Sequence, residues 1–255
     1  MFIRTTMFFT LLLCLGAIIT AQQEWVPAAG SWEFSGENVL QNDASGKLSR
    51  VDIETNEDNF LNVSFTVQYV AGGYSNEQMF EKGEYHAGFG VHLGVEDPLL
   101  RTESWGNGDS YLLWINLDTR EETRIDNPEH YGLRAQIYKS NSPSSMNLQR
   151  SPLIANSDAL SSFSVEDYVS IDLVSTIESL SGVNASILDV ISYFRPQGVE
   201  INMSADLTNG RISIVDPTNP ELTFYVSLDP SVLSGNYVSL RTNSVALRFE
   251  NISVN

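Results

Sequence analysis

Gly235 to Asn255, G-N-Y-V-S-L-R-T-N-S-V-A-L-R-F-E-N-I-S-V-N, is the stretch that decides the fold. Val238 and Leu240 lead into a polar Thr242-Asn243-Ser244 turn, after which Val245, Leu247 and Phe249 alternate with Ala246, Arg248 and Glu250. Apolar side chains at every second position mark a strand buried on one face. After Phe249 the parity slips, because the next apolar residues are Ile252 and Val254. One extra residue near Glu250-Asn251, a β-bulge, keeps both apolar sets on the same face; an uncorrected slip turns the second set to solvent. Such a strand needs a neighbour. The stretch from Trp32 to Leu40 is the expected one, since the termini of compact domains often lie close together.

The same alternation recurs upstream. Leu61, Val63, Phe65, Val67 and Tyr69 alternate with polar residues until Ala71-Gly72-Gly73. Val199, Ile201, Met203, Ala205 and Leu207 do the same, and Asn209-Gly210 follows as a tight hairpin turn because both residues tolerate positive φ. Ile212 and Ile214 begin the return, Asp216 to Pro220 interrupts it, and Leu222, Phe224, Val226 and Leu228 form a further strand. Ala87 to Leu93, Leu133 to Ile137 and Val169 to Leu173 also read as strands. Tyr111 to Leu117 is almost unbroken in its apolar character, as expected of a strand covered on both faces. Ser140 to Ser164 reads as irregular loop with a helical turn near Asp158 to Ser162. Val183, Ile187, Leu188, Ile191 and Phe194 fall at helical spacing, with Asn184 as N-cap and Pro196 past the end. Roughly ten short strands, one helix and no βαβ rhythm predict an all-β fold, an antiparallel β-sandwich whose rim loops are left for function.

Residues 1–21 read as a signal peptide: Arg4 is the positive end, Met7 to Ile19 the apolar run, and cleavage is expected near Ala21. The expected products are a single sandwich domain over residues 22–255 and a secreted or periplasmic location, with no integral membrane segment. The only cysteine, Cys14, lies in that leader, so the mature chain is cysteine-free and has no disulfide or thiolate chemistry. The leader holds one Arg and no acid, which leaves 13 basic against 32 acidic residues and a formal charge of −19. A surface so acidic repels nucleic acid and anionic membranes.

Gly30-Ser31-Trp32-Glu33-Phe34-Ser35-Gly36, the strand from Asn59 to Tyr69, the hairpin from Val199 to Val215 and the ending Phe249-Glu250-Asn251-Ile252-Ser253-Val254 together resemble the concanavalin A-like jelly roll. That superfamily includes legume lectins, laminin-G domains and glucanases. The resemblance implies a carbohydrate-binding fold, and several members hold Ca2+ in rim loops. The E-x-D-x-E strand that carries the glucanase nucleophile and acid is absent, and the acidic clusters Glu54/Glu57/Asp58 and Asp118/Glu121/Glu122 have turn-like spacing. The chain therefore leans away from catalysis.

Arg101-Thr102-Glu103-Ser104-Trp105-Gly106-Asn107-Gly108-Asp109 is the binding candidate. An indole at a Gly/Asn-rich loop tip offers a face for a sugar ring, and Glu103, Asn107, Asp109 and Arg101 offer bonds to hydroxyls. Trp32, Trp114 and Phe65 lie in strand patterns and read as core. Asp126, Asn127 and Glu129 in one loop, and Asp216 to Asn219 in another, are calcium candidates on oxygen-donor chemistry, and both stretches are also good turn sequences. His86, His92 and His130 lack the close spacing of a zinc site. The expected function is a secreted, non-catalytic, lectin-like module that binds carbohydrate or a cell-surface glycan. The alternatives are a structural envelope protein that binds another protein, and a divergent sugar-processing enzyme, which requires two facing carboxyls in a groove.

Overall fold

The computed structural model describes residues 24–36, 38–55, 60–74, 76–82, 84–96, 105–154, 198–217, 219–233 and 235–255. The expected signal peptide, the strand at 169–173, the helical turn at 158–162 and the helix at 183–194 lie outside them. In chain order the strands are β1 (Val26–Ala29), β2 (Trp32–Ser35), β3 (Asn38–Gln41), β4 (Ser49–Glu54) and β5 (Phe60–Gly72). Next come helix α1 (Glu77–Lys82), β6 (His86–Val95), β7 (Asp109–Asp118), helix α2 (Glu121–Asp126), β8 (Gly132–Asn141) and β9 (Met146–Arg150). Then follow β10 (Val199–Asp206), β11 (Arg211–Asp216), β12 (Asn219–Ser227), β13 (Tyr237–Asn243) and β14 (Val245–Val254).

Among the described residues the strands form two seven-stranded sheets, β1-β4-β13-β6-β7-β8-β9 and β12-β11-β10-β5-β14-β3-β2, in which neighbours pair antiparallel. This is the antiparallel β-sandwich expected from the alternation. β14 lies between β5 and β3, with Phe249 opposite both Val67 and Val39. Its bulge is where the parity slip places it: Glu250 pairs with Thr66 but Ser253 with Ser64, so three steps on β14 answer two on β5. Asn251 absorbs the extra residue at φ 53°. The polar residues before β14 are not a turn within one sheet. β13 continues to Asn243 in the first sheet, and Ser244, at φ 55°, is the corner where the chain crosses to the second.

The inner faces meet in one core. Phe65, Phe89 and Phe249 pack edge to face, with Phe65 and Phe249 centroids 5.3 Å apart, and Trp32 tilts against Phe249 at 6.4 Å. Two expectations need correction. The segment after Ser140 is not wholly loop, because Met146–Arg150 pairs with β8 as an edge strand. The described residues also hold two six-residue helices, α1 and α2, too short to show a 3.6-residue apolar period.

β7 is covered on both faces, as its apolar run predicts. Leu113 and Ile115 face the core, while Ser110, Trp114 and Asn116 face the other way and are also buried. The same holds across the first sheet, where Arg50, Asp52, His92, Gln136, Ser140, Ser239 and Arg241 lie on the face away from the second sheet at 2% exposure or less. Polar groups at that depth must be bonded to one another or to whatever covers them.

Candidate functional site

On that outer face lies an open cleft of about 430 Å3, and Trp114 forms its floor. Trp114 was expected in the core; it is buried, but on the opposite face of β7. Glycine on the neighbouring strand makes this possible. A Cβ at Gly88 would sit 2.4 Å from Cε2 and Cζ2 of Trp114, so only a bare backbone lets the indole lie against β6. The Trp114 indole N–H donates to Asn116 Oδ1 at 3.4 Å, and Asn116 Nδ2 donates to the His130 carbonyl at 2.7 Å. The floor is thereby tied to the segment that follows α2.

One wall comes from the end of β7 and from α2. Asp118 accepts from Arg120 Nε at 3.0 Å, Arg120 Nη2 at 2.5 Å, the Arg120 backbone N–H at 3.1 Å and the Thr123 hydroxyl at 3.1 Å. Its carboxylate is thus committed to holding the start of α2. The remaining Arg120 nitrogen donates to Glu122 at 3.0 Å. The hydrogen bond that Arg120 donates to Asp118 leads the factors that raise the Arg120 pKa. His86, the partner of Asp118 on the neighbouring strand β6, is pushed below the usual histidine range by burial first and by the Arg120 charge second.

The other wall is His130 with Tyr138. Their rings stack with centroids 6.3 Å apart, and the Tyr138 hydroxyl donates to Gln136 Oε1 at 2.9 Å. Gln136 Nε2 lies 3.1 Å from His130 Nδ1; as the amide nitrogen is a donor, Nδ1 accepts and neutral His130 carries its proton on Nε2. Burial, then Glu129, raises the Tyr138 pKa well above that of an ordinary phenol.

Trp105 stands at the rim, 43% exposed, and lines the cleft with Asn127, Ser144 and Met146. The two residues after it turn inward. Gly106 N–H donates to the Pro143 carbonyl at 3.0 Å. A Cβ on Gly106 would lie 1.9 Å from the Ser142 carbonyl oxygen, so this close approach requires glycine. Asn107 is 2% exposed: Oδ1 accepts from Arg50 Nη1 at 2.7 Å, Nδ2 donates to Ser239 Oγ at 3.2 Å, and its backbone N–H donates to Ser140 Oγ at 3.0 Å. It is an anchor beneath the loop rather than a cleft residue. Asp109 is exposed and opens β7 opposite Asn141. Arg101 and Glu103 lie outside the described residues. Of the calcium candidates, Asp126 ends α2, Glu129 offers its carbonyl to Ser151 and Gln136, and Asn127 alone lines the cleft. Among the described residues no three His, Cys, Asp or Glu side chains are grouped closely enough to hold a metal ion.

The sequence signal for Asn116, Asp118, Gln136 and Tyr138 is faint but present. They are polar groups at period two along their strands, with apolar Leu117 between Asn116 and Asp118 and apolar Ile137 between Gln136 and Tyr138. A half-exposed strand gives the same pattern.

No protein-family profile matches the chain, and no curated protein matches it in sequence. Among solved structures it is similar to the carbohydrate recognition domain of Emp47p, at 12% identity over 90% of this chain and 87% of that one, with a TM-score of 0.48. It is also similar to the lectin from Bauhinia forficata solved in complex with GalNAc, at 9% identity over 92% and 91% of the two chains, with a TM-score of 0.38.

Proposed function

We propose that the protein is a secreted, non-catalytic, lectin-like module that holds carbohydrate in the cleft between Trp105 and Tyr138. The observation that carries this is an exposed indole, Trp105, at the rim of a cleft whose floor is a second indole, Trp114. An indole face covers the apolar C–H face of a sugar ring, while neighbouring amides and hydroxyls bond its edge. Asn127 and Ser144 are neutral polar side chains that line the cleft with Trp105. Among the described residues no lysine lines the cleft, and Arg120 is held by Asp118 and Glu122. The site therefore suits a neutral, polyhydroxylated ligand. Retaining glycosidases hold two carboxyls about 5 Å apart across the scissile bond. Among the described residues the cleft is lined by one carboxylate, Asp118, which Arg120 and Thr123 already engage.

A glycan-array screen of the chain from residue 22, run with calcium and with chelator, tests this. Wild type is expected to bind a restricted set of glycans. Trp105→Ala is expected to weaken that binding at least about tenfold while leaving the melting temperature within a degree or two, because surface substitutions away from special contacts are worth about 0.5 kcal/mol or less. Binding lost only with chelator assigns a calcium ion to the rim. An empty array under both conditions removes the carbohydrate reading and leaves the protein-binding one.

A further inference from the structure

Beneath the Trp105 loop lies a buried polar chain that the apolar core does not need. His92 on β6 is 0% exposed and Arg241 on β13 is 1% exposed. His92 Nε2 lies 2.7 Å from Arg241 Nη1, and His92 Nδ1 lies 3.1 Å from Ser110 Oγ. Ser110 Oγ in turn lies 3.2 Å from the Asn107 carbonyl oxygen, and Arg241 Nη1 also donates to the Trp105 carbonyl.

The directions of these bonds follow from one fact. A guanidinium only donates, so His92 Nε2 must accept. A neutral imidazole then carries its proton on Nδ1, which donates to Ser110, and the Ser110 hydroxyl is left to donate to the Asn107 carbonyl. The opposite tautomer would set Nε2–H against the guanidinium N–H. The guanidinium would then have to turn away, and the Trp105 carbonyl would lose its donor. Arg241 and Arg50 are the charged groups that face the ring, and both cations add to burial in favouring its neutral form.

We propose that His92 and Arg241 are positioning residues for the Trp105 binding loop, with the Nδ1–H tautomer of His92 fixing the two carbonyls on either side of Gly106. This rests on the carbohydrate reading of the cleft, but its test does not. The chain of bonds lies between the first sheet and the loop, on the face away from the core cluster, so its loss frees the loop without opening the sandwich.

The experiment uses the ligand-free chain. Nitrogen NMR of the wild-type His92 ring is expected to show a protonated Nδ1 and an unprotonated Nε2 at pH 7; the reverse assignment overturns the proposal without any variant. Amide hydrogen exchange then compares His92→Leu, which removes the acceptor, with His92→Gln, whose amide oxygen can accept from Arg241. His92→Leu is expected to speed exchange at Gly106 and Asn107 about tenfold, the effect of one lost hydrogen bond, with Val67 and Phe249 in the second sheet unchanged. His92→Gln is expected to restore wild-type protection. Unchanged protection in a folded His92→Leu protein, or no recovery in His92→Gln, overturns the proposal. A confirmed lock on a protein that binds no glycan would discard only the ligand class.

Discussion

A single methyl group at position 88 would occupy space that the Trp114 indole already fills, since three of its ring atoms lie within 2.5 Å of the added Cβ. Gly88→Ala is therefore expected to cost about 1–3 kcal/mol, the usual penalty of overpacking. Near-ultraviolet circular dichroism should show a displaced indole, and glycan binding should fall with it. An unchanged spectrum and full stability would contradict the assigned floor. His92 gives the pH dependence. Burial, then Arg241 and Arg50, lowers its pKa well below its ordinary 6.5, and burial and Arg120 lower that of His86. Below pH 6.5 the unfolded chain binds protons that the folded chain refuses. Stability is thus fully present above about pH 6.5 and declines as the pH falls from there, before the carboxylates titrate. Urea midpoints are expected to drop between pH 6.5 and 5 in wild type, with a shallower slope in His92→Gln; equal slopes would contradict a neutral buried His92. At this scale the sequence was informative where exposure decides and silent where facing decides. Trp105 is recognisable from its Gly/Asn neighbours, but nothing in Leu112-Leu113-Trp114-Ile115 says which face of a doubly covered strand an indole takes. Asn107 looks like a loop-tip donor until Arg50 and Ser239, 57 and 132 residues away in sequence, are found bonded to it.

Among the elements, β14 was the most legible, because a one-residue change in parity has few physical explanations. Asn251 at φ 53° now carries that bulge with an exposed side chain, so its backbone can be tested almost alone. Asn251→Gly is expected to alter stability by less than about 0.5 kcal/mol, and Asn251→Val to cost about 1–2 kcal/mol, because a β-branched residue resists the left-handed region. Equal effects in urea unfolding would mean that the bulge had moved. α2 illustrates the opposite case. Six residues are too few for a periodic signal, and the helix is held by Asp118 from the preceding strand as well as by its own Glu121–Arg124 pair. The acidic run Asp118/Glu121/Glu122 reads as a turn, whereas the structure uses its first member to fasten one cleft wall. β9 was hidden in a Ser/Pro/Asn-rich stretch because an exposed edge strand need not alternate.

Across the whole molecule, one sheet face differs from the rest. The inner faces hold the core, and the outer face of the second sheet carries small polar residues such as Ser64, Thr66, Ser204 and Ser213. The outer face of the first sheet is polar and yet buried, roofed by the Trp105 loop and by the chain around α2. The sandwich itself was legible from alternation and turn residues. The roofed face was not, because burial of polar residues depends on which loop folds over them. The formal charge of −18 over the whole sequence is compatible with a neutral ligand. The proposed carbohydrate site is the roofed face beside Trp105. Its most direct test is an NMR titration of the chain from residue 22 with the tightest glycan that the array selects. The indole N–H signals of Trp105 and Trp114 and the amides of Asn127 and His130 are expected to shift together and saturate at one affinity. Shifts confined to the second sheet, with both indoles still, would contradict the account.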